Sequence, residues 1–204
     1  MPRAQKVMVV GDLHGEWAAF EGNLKSLGAI GNDGHWTAGD AKLIFQGDIL
    51  ADRGTDSLKI LEVIATLKRE AEKAGGKITV LAGNHEDFAL SYLMDRKILG
   101  ISDVTDVCYP YFQGKGLLEF RRFGSAELQG KPEDDPETWD MLMRERPQIL
   151  QAMRNDRTGK ILLEEIGALR LAEIIDDSLI VHTNPTPRMM EALLQHGVDG
   201  VNGI

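Results

Sequence analysis

One cysteine, Cys108, is all the sequence contains, so no internal disulfide can staple the chain and nothing in it asks for an oxidising compartment. Basic residues are in deficit: 23 Lys and Arg stand against 32 Asp and Glu, a formal net charge of -9. That balance speaks against a nucleic-acid scaffold or a membrane-surface protein, either of which wants a basic face. Long apolar runs are missing too. No stretch approaches the roughly 18 consecutive apolar residues of a membrane helix, and the apolar stretch Val7–Val10 is too short for a signal-peptide core. Cytoplasm is the expected compartment. No internal repeat or low-complexity tract breaks the chain into units, and 204 residues suit one domain. An acidic chain repels anionic substrates unless something local inverts the field, and bound divalent cations do that.

What is present is a rhythm. Apolar segments at Lys6–Val10, Ala41–Gln46 and Lys77–Ala82 read as strands. Between them, Glu16–Leu27 carries Trp17, Phe20, Leu24 and Leu27 at helical spacing, and Asp56–Lys73 carries Leu58, Leu61, Ile64, Ala65 and Leu67 on one side. This β-α-β-α-β order predicts a largely parallel sheet covered by helices. From Glu86 to Arg170 the pattern loosens. Phe88–Leu99 reads as a helix, Tyr109–Gly116 is rich in aromatic and glycine residues, and Lys131–Pro136 reads as a loop. Glu137–Asn155 reads as a helix divided by Pro147. Leu169–Ile175 and Ser178–Val181 form a hairpin turning at Asp176-Asp177, and Pro187–Gln195 is a last helix.

Each apolar segment stops at a Gly followed by a polar residue: Gly11-Asp12-Leu13-His14, Gly47-Asp48 and Gly83-Asn84-His85-Glu86; the later strand runs into His182. In sheets of this kind ligands gather at the carboxyl ends of strands, so these ends are expected to converge. Asp, His and Asn offer oxygen and imidazole donors that suit Mn, Fe or Zn. Taken singly, each has an ordinary reading: a Gly-Asp turn, a hydrogen-bonded His, an Asn that caps the next helix. Taken together they point to a metal site, because three of the five histidines fall in these clusters. The other two, His35 and His196, keep the ordinary reading, His196 as a favourable end charge on a helix.

The ordered set G-D-L-H-G, G-D-I-L-A-D-R-G, G-N-H-E and a later strand-borne His resembles the calcineurin-like metallophosphoesterase superfamily, and is similar to bacterial and Shewanella-like members of its phosphoprotein phosphatase branch. The resemblance is dense over Val7–Phe88 and returns over Leu169–Pro185. It implies an α/β fold, a four-layer α/β/β/α metallophosphoesterase sandwich, formed by residues 1–204 as one domain. It also implies two divalent metal ions. Asp12 and His14 would bind the first, Asp48 would bridge both, and Asn84 and His182 would bind the second. A water between such ions is acidified enough to attack phosphorus near neutral pH. His85 would protonate the leaving alkoxide with Asp52 orienting its ring, and Arg53 would grip two phosphate oxygens.

Three departures stand out. Three residues, Ile49, Leu50 and Ala51, separate Asp48 from Asp52-Arg53, where the family has two. The last motif is H-T-N-P where that branch usually has H-G-G. The family also supplies a further metal-binding His downstream, so the C-terminal strands and that ligand are expected beyond Ile204. The stretch of about 95–165 is longer than compact phosphatases need, and is either a helical cap beside the cleft or a solvated decoration. The implied activity is hydrolysis of phosphate monoesters, with phosphoserine or phosphothreonine proteins as substrates. A nucleotide or dinucleoside polyphosphate hydrolase and a metal-binding scaffold without turnover are the alternatives.

Overall fold

The computed structural model describes residues 5–50, 53–94, 117–133, 135–185 and 187–202. Asp52, the last residues of the helix expected over Phe88–Leu99, and the aromatic and glycine-rich stretch Tyr109–Gly116 lie outside them.

Three parallel strands, β1 (Val7–Val10), β2 (Lys42–Phe45) and β3 (Lys77–Val80), lie in the order β1-β2-β3 with Val7, Lys42 and Lys77 in register. Helices α1 (Trp17–Leu27) and α2 (Ser57–Lys73) make the crossovers. Side chains alternate across a strand. Met8, Val10, Leu43, Phe45, Ile78 and Val80 therefore share one face and pack with Phe20, Leu24, Leu58 and Leu61 of the two helices. Phe20 stacks on Phe45 with ring centroids 5.9 Å apart, a geometry aromatic pairs prefer. α1 ends where Gly28 turns into the left-handed region (φ 67°) and its N–H reaches the carbonyls of Leu24 and Lys25.

On the sheet's other face Ile44 and Leu81 meet Ile175 and Ile180. These belong to an antiparallel pair, β4 (Ala172–Ile175) and β5 (Ser178–Val181), joined at Asp176, whose φ of 51° makes the tight turn. The salt bridge from Lys77 Nζ to Glu173 Oε1, 2.7 Å, also crosses between the sheets. The last helix of the described residues, Pro187–Asn202, packs against β4, and the Asn202 side-chain oxygen accepts from the N–H groups of Leu171 and Ala172. The layers thus run helix, sheet, sheet, helix, as expected.

The element bounds differ in instructive ways. The strands stop at Val10, Phe45 and Val80, the first where its apolar run ends and the others one and two residues before, so the Gly-polar pairs lie beyond the ladder. β4 begins at Ala172 instead of Leu169, because Arg170 is already engaged in a single parallel bridge with Leu81. The last helix continues to Asn202, past the expected end at Gln195, with a break at Gly197 (φ 67°); His196 is exposed at that break.

Among the described residues, the middle of the chain is helical. After α3 (Asn84–Met94) come a 3-10 segment, Leu117–Phe123, then α4 (Ala126–Gly130), α5 (Pro136–Arg144), α6 (Arg146–Asn155) and α7 (Arg157–Gly167); Pro187–Asn202 is α8. The expected division at Pro147 is real: α5 and α6 meet at Glu145, and Pro147 sits in the first turn of α6, where a missing N–H costs nothing. Helices α4 and α7 were not expected. Side-chain caps start several of them: Ser125 Oγ accepts from the Leu128 N–H, Asp135 from Glu137 and Asp156 from Gly159. Phe120, Trp139, Leu142, Ile149, Met153, Leu162 and Ile166 join the same core as α1 and α2. Among the described residues no helix is long and apolar enough to cross a membrane.

Candidate metal centre

The three released strand ends and the end of β5 meet. His14 Nε2 lies 3.9 Å from Asp12 Oδ2 and 3.9 Å from Asp48 Oδ2, and His85 Nε2 lies 3.9 Å from the same Asp48 oxygen. His182 Nε2 is 3.5 Å from Asp48 Oδ2 and 3.3 Å from Asn84 Oδ1. Two overlapping groups result, each able to offer three donor atoms within 4.8 Å of one another: His14, Asp48 and His85, and Asp12, Asp48 and His182. Asp48 belongs to both. His14, Asp48 and His85 are buried, His182 is half-buried, and Asp12 is exposed at the mouth.

Backbone geometry aims these side chains. His14 (φ 47°) and Asp48 (φ 51°) both sit in the left-handed region that side chains other than glycine rarely occupy. Such conformations cost about 1–3 kcal/mol each and persist where surrounding contacts fix them. The contacts are present. The N–H groups of Leu13 and His14 donate to Asp48 O (3.0 and 2.8 Å), and that of Gly15 donates to Ile49 O (2.8 Å). Glu86, on the first turn of α3, collects the N–H groups of Asp48 (2.7 Å), Ile49 (2.8 Å), Leu50 (2.9 Å) and Gly83 (2.8 Å) on its two carboxylate oxygens. Burial pushes the Glu86 carboxyl up from its ordinary range, while bonds from Leu50, Gly83 and Asp48 hold against that. Gly83 lets the two turns approach closely: a Cβ there would lie 2.1 Å from Asp48 Oδ1.

His182 is fixed by Gln46, the residue after β2. Its Nδ1 lies 2.9 Å from Gln46 O, and the Gln46 amide donates to Val181 O (2.9 Å). Asp12 Oδ1 is 3.9 Å from the same Nδ1, so the shorter contact takes the proton. With the proton on Nδ1, Nε2 presents a lone pair to two oxygens, Asp48 Oδ2 and Asn84 Oδ1. Three electron-rich atoms converging in this way repel one another unless a proton or a metal ion lies among them. The donor set therefore fits a divalent ion, and its oxygen and imidazole donors match Mn, Fe or Zn.

All five expected ligands, Asp12, His14, Asp48, Asn84 and His182, come together, and His85 joins them. The His14 and His85 rings meet edge to face, 4.7 Å between centroids. His85, expected as the proton donor and apart from the ligands, shares a donor group with His14 and Asp48. Arg53 is exposed, and the N–H of the next residue, Gly54, donates to His14 O (2.8 Å). Two participants had no role in the sequence reading. Glu86 was visible only as the fourth letter of G-N-H-E, and Gln46 only as the residue before Gly47-Asp48.

The sequence model of the calcineurin-like phosphoesterase family matches residues 5–201. The chain is 43% identical over 219 aligned positions to Shewanella-like protein phosphatase 2 of Arabidopsis thaliana, a match covering 98% of this chain and 50% of that protein. It is 36% identical over 101 positions to a symmetrical bis(5'-nucleosyl)-tetraphosphatase of Wigglesworthia glossinidia brevipalpis, covering 48% of this chain and 31% of that one. Among solved structures, a cold-active protein-tyrosine phosphatase of a psychrophilic Shewanella species superposes with a TM-score of 0.53 at 18% identity, covering 100% of this chain and 50% of that chain. The chain thus spans half the length of the Arabidopsis protein.

Proposed function

From the premise that this chain belongs to the calcineurin-like phosphoesterase family, we propose that it is a metal-dependent phosphatase acting on phosphate monoesters of the phosphoprotein class. The observation that carries the reading is Asp48, a buried carboxylate shared by two overlapping donor groups at converging strand ends. Two divalent cations held there, by Asp12, His14 and Asp48 and by Asp48, Asn84 and His182, would supply Lewis acidity and a water acidic enough to react near neutral pH. Mn, Fe and Zn all accept these donors, and manganese is the first to test.

The chain's own residues do the rest. Attack of water on phosphorus breaks the P–O bond to the alcohol. His85 gives its proton to the departing alkoxide and regains the one the water loses. Arg53 holds two non-reacting phosphate oxygens through its planar fork. Asp52 keeps the orienting role that the resemblance implies for it. The stretch of about 95–165 is read as an insertion in one domain over 1–204 that shapes substrate access. The single cysteine and the acidic balance keep the cytoplasm as the proposed compartment.

The names of the relatives support a phosphoprotein substrate, and the tetraphosphatase relative supports the dinucleotide alternative. A panel on the manganese-, iron- or zinc-loaded protein separates them: p-nitrophenyl phosphate, phosphoserine, phosphothreonine and phosphotyrosine peptides, and a dinucleoside tetraphosphate. The expected result is turnover of phosphopeptides that disappears in Asp48→Asn and falls by about a hundredfold or more in His85→Asn. Cleavage of the dinucleotide but not the peptides overturns the substrate class. Metal binding without turnover of any of them makes the protein a scaffold.

A further inference from the structure

Helix α2 begins with its N-terminal N–H groups unserved by the residue in the cap position: Asp56 makes no side-chain capping bond. The acceptor comes instead from the helical middle of the chain. Glu119, in the 3-10 segment 62 residues away, accepts from the Ser57 N–H through Oε1 (3.0 Å) and from the Leu58 N–H through Oε2 (2.9 Å). A carboxylate at a helix N-terminus also gains from the helix dipole. Its neighbours Leu118 and Phe120 are buried in the core that α2 shares, so the carboxylate is delivered from a rigid base.

Just ahead of α2 lies Arg53, which holds phosphate on the reading above. The Gly54 N–H donates to His14 O (2.8 Å) and the Asp56 N–H to Gly15 O (3.1 Å). Gly54 also lies so close to Gly15 that a Cβ on it would fall 2.0 Å from Gly15 O. The segment from Arg53 to Asp56 is thus pinned at one end to the metal-site turn and at the other to α2. Its outer side borders a cleft of about 390 Å³ lined by Thr55, Asp56, Lys59 and Glu119 itself.

We propose that Glu119 is a positioning residue for phosphate binding: by clamping the first turn of α2 from the helical insertion, it fixes the segment that carries Arg53. This rests on the reading that Arg53 holds the substrate's phosphate. On this account the insertion is part of the site's scaffold, and its packing is transmitted through one carboxylate.

The test uses the manganese-loaded full chain with inorganic phosphate and p-nitrophenyl phosphate as probes. Phosphate affinity by calorimetry, KM and kcat, and amide exchange over residues 53–58 are measured for Glu119→Ala, Glu119→Gln, Arg53→Lys and the double variant Arg53→Lys with Glu119→Ala. Loss of the clamp is expected to weaken phosphate about tenfold and raise KM by the same factor, with kcat within about twofold, because the contact is made equally in ground and transition states. Gln keeps one acceptor oxygen and is expected to fall between. In the Arg53→Lys background, Glu119→Ala is expected to add nothing further, the non-additivity that marks two residues acting through one contact. An equal added loss in that background assigns Glu119 a merely structural role and overturns the proposal. So does faster exchange at Ser57 and Leu58 with phosphate affinity unchanged. A native chain that binds no phosphate overturns the reading beneath, whereas equal binding with and without Glu119 overturns only this inference.

Discussion

Between Val7 and Leu93, polar side chains hold backbone. Glu86 gathers four N–H groups around the Asp48 turn, and Gln46 braces β5 and the His182 ring. Between Leu117 and Gly167 Ser125, Asp135 and Asp156 cap helices, and the stability comes from apolar side chains: Phe120, Leu142, Ile149, Met153 and Leu162 are almost wholly buried. The first region is specified by close approach, where tenths of an ångström matter. The second is specified by volume, where a core tolerates substitution as long as space is filled. Damage in the two should therefore look different: loss of the site with the fold kept in one, and in the other, the Glu119 clamp aside, loss of stability with the metal site kept.

The sharpest way to break this contrast is Gly83→Ala. Its Cβ would fall 2.1 Å from Asp48 Oδ1 and 2.6 Å from Asp48 N, so the shared ligand must move. Activity is expected to fall by roughly a hundredfold or more, with manganese affinity reduced and helical circular dichroism retained. Unchanged metal affinity would refute the claim that close approach specifies this region. Leu162→Ala, in α7, tests the other side. It is expected to cost about 2–5 kcal/mol in urea unfolding, with metal affinity by calorimetry unaltered below the transition; a matching loss of affinity would merge the two regions into one.

The smallest expected effect lies at the rim of the first region. His35 Nδ1 is 2.8 Å from Glu70 Oε1, and the other Glu70 oxygen accepts from the Trp36 N–H at 2.9 Å. The hydrogen bond and charge of Glu70 raise the His35 pKa above its ordinary 6.5. The Trp36 N–H and then His35 lower that of Glu70 below its ordinary 4.5. A raised His stabilises fully below its ordinary pKa and loses that contribution as pH rises through the raised value. A lowered Glu stabilises above its ordinary pKa and loses that contribution as pH falls through the lowered one. Both act together between those ordinary values. His35→Gln should therefore shrink the drop in Tm between about pH 5.5 and about pH 8 by a small amount. An identical pH profile for the two proteins would show that the pair does not couple to folding.

Much of the site could be read from the chain because its information is local. A strand end, a glycine and one or two polar residues occupy four or five consecutive positions, so Asp12, His14, Asp48, Asn84 and His85 announce themselves by spacing. His182 needed a strand to deliver it, and the alternation before it supplied that. Glu86 and Gln46 were less visible because their work is done on backbone groups, which carry no sequence mark. Glu119 could not be found at all: its partners lie 62 and 61 residues away, and a lone Glu beside two arginines looks like solvated surface. In α7 the buried positions Gly159, Leu162 and Ile166 make only a narrow stripe, with a glycine at one of the three, so the periodicity was too thin to mark a helix.

The small contact between the sheets has a thermodynamic corollary. Ile44, Leu81, Ile175 and Ile180 make a patch far smaller than the main core, yet the β4–β5 hairpin they anchor delivers His182, while Asp48 comes from the other sheet. An ion shared by Asp48 and His182 would therefore bind only the docked hairpin, and mass action would charge its affinity with the work of docking. At a free concentration a hundred times its dissociation constant, such an ion would add about 2.7 kcal/mol to the closed arrangement. Hairpin docking and metal loading would then become one equilibrium, with metal supply setting how firmly the two sheets are joined.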